Sequence, residues 1–287
     1  MKKAKYQGRT VAVKMLKEEH TDQDVIDLVK EMTIMKQIKP HDHILQLIGV
    51  CTQPRGFHLQ VVVEYARFGD LQKFLQDRQS NLQCVNCAQG YMEPVLPLIQ
   101  QKKCEISCIL SLEDQLKIAW QVAKGMQFLH FSKCIHRDLA ARNVLVFEDN
   151  RVKISDFGFA RCIEDTEYYC KISEGKLPVK WMSPEAIFER KFTTQSDIWS
   201  FGVLLWEIIT MGDSPYKNDP PKLYFEKLRD GNHLDQPWNC SDDIYEIMEQ
   251  CWRYYPNDRP SWNILIPKLL NLILVYSEPY KYTGIIV

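Results

Sequence analysis

The run Thr10-Val11-Ala12-Val13-Lys14-Met15 alternates and is β-branched, which predicts a strand. Its lysine points either to solvent or toward a site. Thr21 followed by Asp24 is a capping-box signature. Val25, Leu28, Val29, Met32 and Met35 then recur at helical spacing. At about 100° per residue, Glu31 falls on the flank of that stripe beside Met35 and Ile38, where a carboxylate can reach a neighbouring element. Two further apolar strands are expected at 45–50 and 59–64. The segment Glu64-Tyr65-Ala66-Arg67-Phe68-Gly69 breaks the pattern and leads into a short helix from Asp70. Strands before this point and helices after it place a lobe boundary, and the linker, near residue 66.

Residues 78–110 are mixed in composition, weakly periodic and contain Pro94 and Pro97, so they read as an insertion. From Leu112 the pattern is helical on two faces: Leu112, Leu116, Ala119, Ala123 and Met126 form one stripe, and Ile118, Val122 and Leu129 another. A helix apolar on two faces is buried, and 197–210 reads the same way. Two buried helices need a substantial C-terminal core, which covering helices from 212–275 can complete. Val144-Leu145-Val146-Phe147 and Arg151-Val152-Lys153-Ile154 flank the turn-forming Glu148-Asp149-Asn150 and should pair as an antiparallel hairpin. That pairing brings Asn143 close to Asp156, with Asp138 in the loop just ahead of Asn143. Three oxygen-bearing side chains thus converge at one hairpin mouth, each suited to a hard cation or to a hydroxyl proton.

Composition narrows the class. The chain has 287 residues, a length that suggests two lobes or one large domain. With 45% hydrophobic and 25% charged residues it is neither disordered nor fibrous. Thirty-six Lys+Arg against 37 Asp+Glu leave a net charge of −1, so no global basic character calls for nucleic acid. Ten cysteines at wide, irregular spacing fit a reducing, intracellular environment better than a disulfide framework. Cys84-x-x-Cys87 and Cys104-x-x-x-Cys108 in the insertion are loosely compatible with zinc, against the plainer reading of a loop with reduced thiols. No apolar region follows Met1-Lys2-Lys3 as a signal peptide would need. No window is apolar enough to span a bilayer; the nearest, 201–211, contains Glu207.

The decisive string is His136-Arg137-Asp138-Leu139-Ala140-Ala141-Arg142-Asn143, followed by Asp156-Phe157-Gly158. With Val11-Ala12-Val13-Lys14, Ser183-Pro184-Glu185, Ser196-Asp197-Ile198-Trp199-Ser200-Phe201-Gly202 and Asp258-Arg259-Pro260, it resembles the protein-kinase signature set over roughly residues 9–275. The resemblance implies an α+β, bilobal protein-kinase fold. Residues 1–66 would form a small β-rich N-lobe, 67–275 a larger, mainly helical C-lobe carrying the insert, and 276–287 a tail. Lys14 would hold ATP phosphates and pair with Glu31, and Asp138 would accept the substrate hydroxyl proton. Asn143 and Asp156 would hold Mg²⁺. Ala12 and Leu145 would sandwich the adenine, Val63 would stand beside it, and the backbone of Glu64 and Ala66 would bind its edge. Asp197 would tie down the His136–Arg137 turn, and Glu185 with Arg259 would form a buried ion pair.

Ala140-Ala141-Arg142 after the aspartate, where serine/threonine kinases place a lysine, and Leu177-Pro178-Val179-Lys180-Trp181-Met182 are similar to tyrosine kinases. Arg142 joins the catalytic set on that basis. Tyr168-Tyr169, between Asp156 and Glu185, read as regulatory phosphorylation sites with Arg137 and Arg161 as partners. Within tyrosine kinases the chain resembles receptors of the fibroblast growth factor receptor and RET type. That implies the cytoplasmic side of a plasma-membrane receptor, protein substrates with tyrosine acceptors, self-association for trans-autophosphorylation, and a membrane span outside this chain. Only Gly8 precedes Lys14, so the family's first strand and glycine-rich phosphate loop are expected to be absent, as in an incomplete sequence or spliced fragment. The competing expectation is a pseudokinase, a scaffold or an inactive fragment.

Overall fold

The computed structural model describes residues 1–16, 19–52, 59–82, 110–162, 177–217 and 219–277. The N-lobe begins with a strand that the apolar pattern does not announce: β1 (Lys2–Tyr6) pairs antiparallel with β2 (Arg9–Met15). The turn between them places Gln7 at φ 47° and Gly8 at φ 77°. Positive φ at both central residues is the primed hairpin turn that matches strand twist, and glycine adopts it without a Cβ penalty. β1 lies at the sheet edge and is largely exposed, a position where lysines blunt the edge and apolar alternation is not required.

Helix α1 (Asp22–Gln37) starts at Thr21, where both halves of the capping box form. Strands β3 (Leu47–Cys51) and β4 (Gln60–Glu64) complete an antiparallel sheet of order β1-β2-β4-β3. Helix α2 (Leu71–Leu82) runs past residue 78, so the insertion begins later than expected. The four zinc-spaced cysteines lie outside the described residues.

The C-lobe continues with α3 (Leu112–Phe131), capped by Ser111 and Asp114. Four short strands follow, β5 (Cys134–Ile135), β6 (Val144–Val146), β7 (Val152–Ile154) and β8 (Arg161–Cys162), with β6 and β7 forming the expected hairpin. Then come α4 (Pro184–Phe188), α5 (Thr194–Ile209), α6 (Pro221–Arg229), α7 (Asp242–Cys251) and α8 (Trp262–Ser277). The last helix carries the lobe to Ser277 rather than 275, with Pro267 inside it.

Helix α5 is buried along most of its length. At Gly202 a Cβ would lie 2.7 Å from Trp252 Nε1 and 2.8 Å from Cys251 Cβ, so only glycine lets α5 and the end of α7 approach this closely. One apolar core runs from Ala12 and Leu28 in the N-lobe to Leu269 on α8. The lobes are also stitched through the backbone: Leu45 N–H donates to Ile154 O, and Ile154 N–H to His43 O, both at 2.9 Å.

Glu185 and Arg259 form the expected buried pair, with Nη1–Oε1 at 2.7 Å and Nη2–Oε2 at 2.8 Å. The same guanidinium donates to the carbonyls of Gln195, Arg253 and Tyr254, locking three segments of the C-lobe. Removing one partner strands a buried charge. Glu185→Ala should therefore cost about 3–5 kcal/mol in urea unfolding, and a loss below about 1 kcal/mol, the range of exposed pairs, would contradict this role.

Candidate active site

The loop between β5 and β6 is fixed from beneath by α5. Asp197, fully buried, accepts from the backbone N–H of His136 (2.9 Å) and Arg137 (3.0 Å). Its third donor is His130 Nε2 at 2.8 Å. Trp262 Nε1–H, which can only donate, contacts His130 Nδ1 at 2.6 Å, so the imidazole proton sits on Nε2 and faces Asp197. The turn this clamp holds puts Arg137 at φ 69°, a left-handed conformation that needs external support in a residue bearing a long side chain.

Above that turn, Asp138 receives Asn143 Nδ2 at 2.8 Å and pairs with Arg142. Asn143 Nδ2 also donates to the Asp138 carbonyl at 2.7 Å, which leaves the amide oxygen as its remaining acceptor. Ser155 N–H and Oγ both donate to Asn143 O at 2.8 Å, which joins the base loop to the end of β7. Asp156, next along the chain, has φ 61° and is exposed to the cleft.

That cleft has a volume of about 580 Å³ and lies between the lobes, lined by Ala12, Lys14, Val63, Ala66, Leu145 and Asp156 among others. Lys14 is the site-facing lysine: its Nζ is 2.5 Å from Glu31 Oε2 across the gap between β2 and α1. Burial, opposed by Lys14 and reinforced by the negative charge of Asp156, holds the Glu31 carboxyl above its ordinary range. Burial also raises Asp138, against the pull of Arg142, with Asp156 again adding to the rise. Residues separated by more than a hundred positions thus meet in one electrostatic neighbourhood. The Glu64 side chain has a task the sequence did not suggest: both carboxylate oxygens take Lys153 Nζ, at 2.9 and 2.7 Å, and Oε2 also accepts from Gln46 N–H. The strand that leads into the linker is thereby bolted to β7.

A shelf borders Asp138 on its other side. Arg142 lies 4.2 Å over the Trp181 ring while it pairs with Asp138. The Trp181 carbonyl takes Ser200 Oγ–H at 2.7 Å, Val179 O takes Tyr224 Oη–H at 2.8 Å, and Lys180 Nζ donates to Tyr216 O at 2.8 Å. Beneath the shelf is Glu207, the charge that broke the apolar run of α5. It is fully buried, and its Oε2 accepts from Ala141 N–H (2.9 Å) and Trp181 Nε1–H (3.0 Å). A lone carboxylate in an otherwise buried helix must find donors or lose its charge. That requirement was the available sequence signal for Glu207.

A family model described as protein tyrosine and serine/threonine kinase matches residues 1–269. The chain belongs to the protein kinase family. It is 46% identical over 272 residues to fibroblast growth factor receptor 1 of Xenopus laevis, a match covering 95% of this chain and 32% of that protein. The kinase domain therefore spans about a third of the length of this relative, and its β-sheet N-lobe and helical C-lobe are those expected of the family.

Of the residues expected to act together in this kinase, Ala12, Lys14, Glu31, Val63, Glu64, Ala66, Arg142, Leu145, Asn143 and Asp156 line the one cleft, and Asp138 bonds to two of them. Tyr168 and Tyr169 lie outside the described residues. The two arginines expected to serve them already have contacts: Arg137 lies 4.1 Å over the Phe192 ring, and Arg161 donates to the carbonyls of Gly158 and Ala160. Among the described residues no helix is long and apolar enough to cross a membrane.

Burial lifts the Glu207 carboxyl from 4.5 to about 7 in spite of its two hydrogen bonds. A group that binds its proton more tightly when folded stabilises fully below its unfolded pKa, and that contribution disappears as pH rises through the folded one. Glu207→Gln keeps an acceptor oxygen but cannot ionise. The stability of the native chain relative to this variant should fall by on the order of 3 kcal/mol as pH rises from 4.5 to above 7. Parallel thermal-unfolding profiles across that window would show that Glu207 does not titrate there.

Proposed function

We propose that this chain is the catalytic domain of a receptor-type protein tyrosine kinase, transferring the γ-phosphoryl group of ATP to tyrosine hydroxyls of protein substrates. The observation that carries the reading is Asp138, a buried carboxylate held by Arg142 and Asn143, two residues that line the same cleft as the Lys14–Glu31 pair. Adenine would lie between Ala12 and Leu145, beside Val63, with its edge on the backbone of Glu64 and Ala66. Lys14, oriented by Glu31, would hold the α- and β-phosphates. The raised pKa of Asp138 makes it a better acceptor for the tyrosine proton than an ordinary carboxylate.

The family generally uses Mg²⁺ with ATP, and the residues here suit it. Asn143, with its amide nitrogen committed to Asp138, and Asp156 offer hard oxygens toward the cleft. Held by Asn143 and Asp156, the ion would offset the negative charge of the phosphates. Tyrosine rather than serine or threonine as acceptor is favoured by the Arg142–Trp181 stack and the anchored shelf of residues 177–182, which holds a long acceptor at a set distance from Asp138. Tyr168 and Tyr169 would be the regulatory acceptors, reached by trans-autophosphorylation between associated copies. The likeness to fibroblast growth factor receptor 1 supports a setting on the cytoplasmic side of a plasma-membrane receptor. The kinase-family match does not favour the scaffold or inactive-fragment alternative over this reading.

Transfer of radiolabelled phosphate from ATP to a Glu/Tyr copolymer tests the reading. The native chain should label the polymer, and Asp138→Asn should lose about a hundredfold or more of that rate. Equal labelling by both proteins would discard catalysis by this site.

A further inference from the structure

Two cysteines that the phosphoryl-transfer chemistry does not use face each other behind the active site. β5 and β8 run antiparallel, with Cys134 directly opposite Cys162 and Ile135 opposite Arg161. Directly opposed Cα atoms in such a pair are about 4.5–5.5 Å apart, inside the about 4.4–6.8 Å that a disulfide spans. The two are present as thiols; Cys134 is buried and Cys162 exposed. Among the other described cysteines, Cys51, Cys240 and Cys251, none is paired in register with another.

We propose that Cys134 and Cys162 form an oxidative modification site, in which hydrogen peroxide converts the exposed thiol to a sulfenic acid and the buried thiol resolves it to a reversible cross-strand disulfide. The chemistry balances. The Cys162 thiolate attacks one peroxide oxygen; an S–O bond forms, the O–O bond breaks, and the departing hydroxide takes up a proton as water. Cys134 sulfur then attacks the sulfenic sulfur; the S–S bond forms, the S–O bond breaks, and the hydroxyl leaves as a second water with the Cys134 proton. The two sulfurs supply the two electrons that reduce the peroxide.

The division of labour follows from exposure. An oxidant reaches Cys162 from solvent, while Cys134 is 1% exposed and lies in register opposite it. The hydrogen bond with Cys162, and then burial, hold the Cys134 thiol far above its ordinary pKa, which keeps its proton available for that bond. Disulfides in reducing compartments are characteristically transient and sensing rather than structural. The bond would tie the strand entering the Asp138 loop to the strand leaving the Asp156 loop. The assignment itself does not depend on phosphoryl transfer.

The test uses the full chain, reduced, freed of reductant and treated with hydrogen peroxide. Digestion under non-reducing conditions should yield a peptide pair joining Cys134 to Cys162, lighter than the sum of its parts by two hydrogens and absent after dithiothreitol. Cys162→Ser, altered at an exposed position, should give no cross-link, with Cys134 remaining a thiol. In Cys134→Ala, dimedone should capture the sulfenic acid on Cys162. Should the native chain instead convert Cys162 to sulfinic acid while Cys134 stays reduced, or pair either cysteine mainly with a different one, the proposal is overturned.

Discussion

The site depends on two carboxylates that α5 carries into the protein interior. Asp197, near the start of the helix, takes the N–H groups of His136 and Arg137; Glu207, near its end, takes the N–H of Ala141. Ten residues of helix separate them by about 15 Å, and the loop carrying Asp138 is stretched between these anchors. Neither carboxylate could remain in the core without such donors. Asp197 accepts three hydrogen bonds, whereas Glu207 accepts two and keeps Oε1 without a partner; burial raises the Glu207 carboxyl to about 7. Because α5 is itself sealed by α7 at Gly202, the packing of the C-lobe sets the position of the loop that carries Asp138.

What the anchored loop presents is an excess of negative charge that the protein alone does not neutralise. Glu31 and Asp138 each feel the charge of Asp156, and each is lifted above the usual carboxylate range mainly by burial. Lys14 and Arg142 answer part of that charge, one on each side of the cleft. The stitching of β7 to the N-lobe, through His43, Leu45 and the Lys153–Glu64 pair, holds the two halves of the cleft at a fixed separation.

Much of this was legible in the sequence because local rules and tertiary demands agree there. Thr21 and Asp24 announced the start of α1, and helical spacing put Glu31 where it could reach Lys14. The hairpin around Glu148-Asp149-Asn150 brought Asn143 and Asp156 together, as β6 and β7 now do. Failures have equally local causes. β1 escaped notice because an exposed, lysine-rich edge strand needs no apolar alternation, although Gly8 marked its turn. The end of α2 was misjudged because its last turn carries mostly polar residues, which resemble the insertion that follows. Glu207 was seen only as a charge unfit for a membrane; its partners, Ala141 and Trp181, lie 66 and 26 residues away and no periodicity links them. The cysteine register across β5 and β8 was hidden for the same reason.

The central claim is that the buried carboxylate of Asp197 holds the loop carrying Asp138 in place. Asp197→Asn removes one acceptor oxygen while preserving shape. The most direct measurement is the kcat for tyrosine phosphorylation by this variant, in preparations whose near-ultraviolet circular dichroism matches that of the native chain. A displacement of the base loop by about 1 Å should lower kcat by about a hundredfold. A folded variant with native kcat would show that the turn at His136 and Arg137 holds itself, and that α5 is not its anchor.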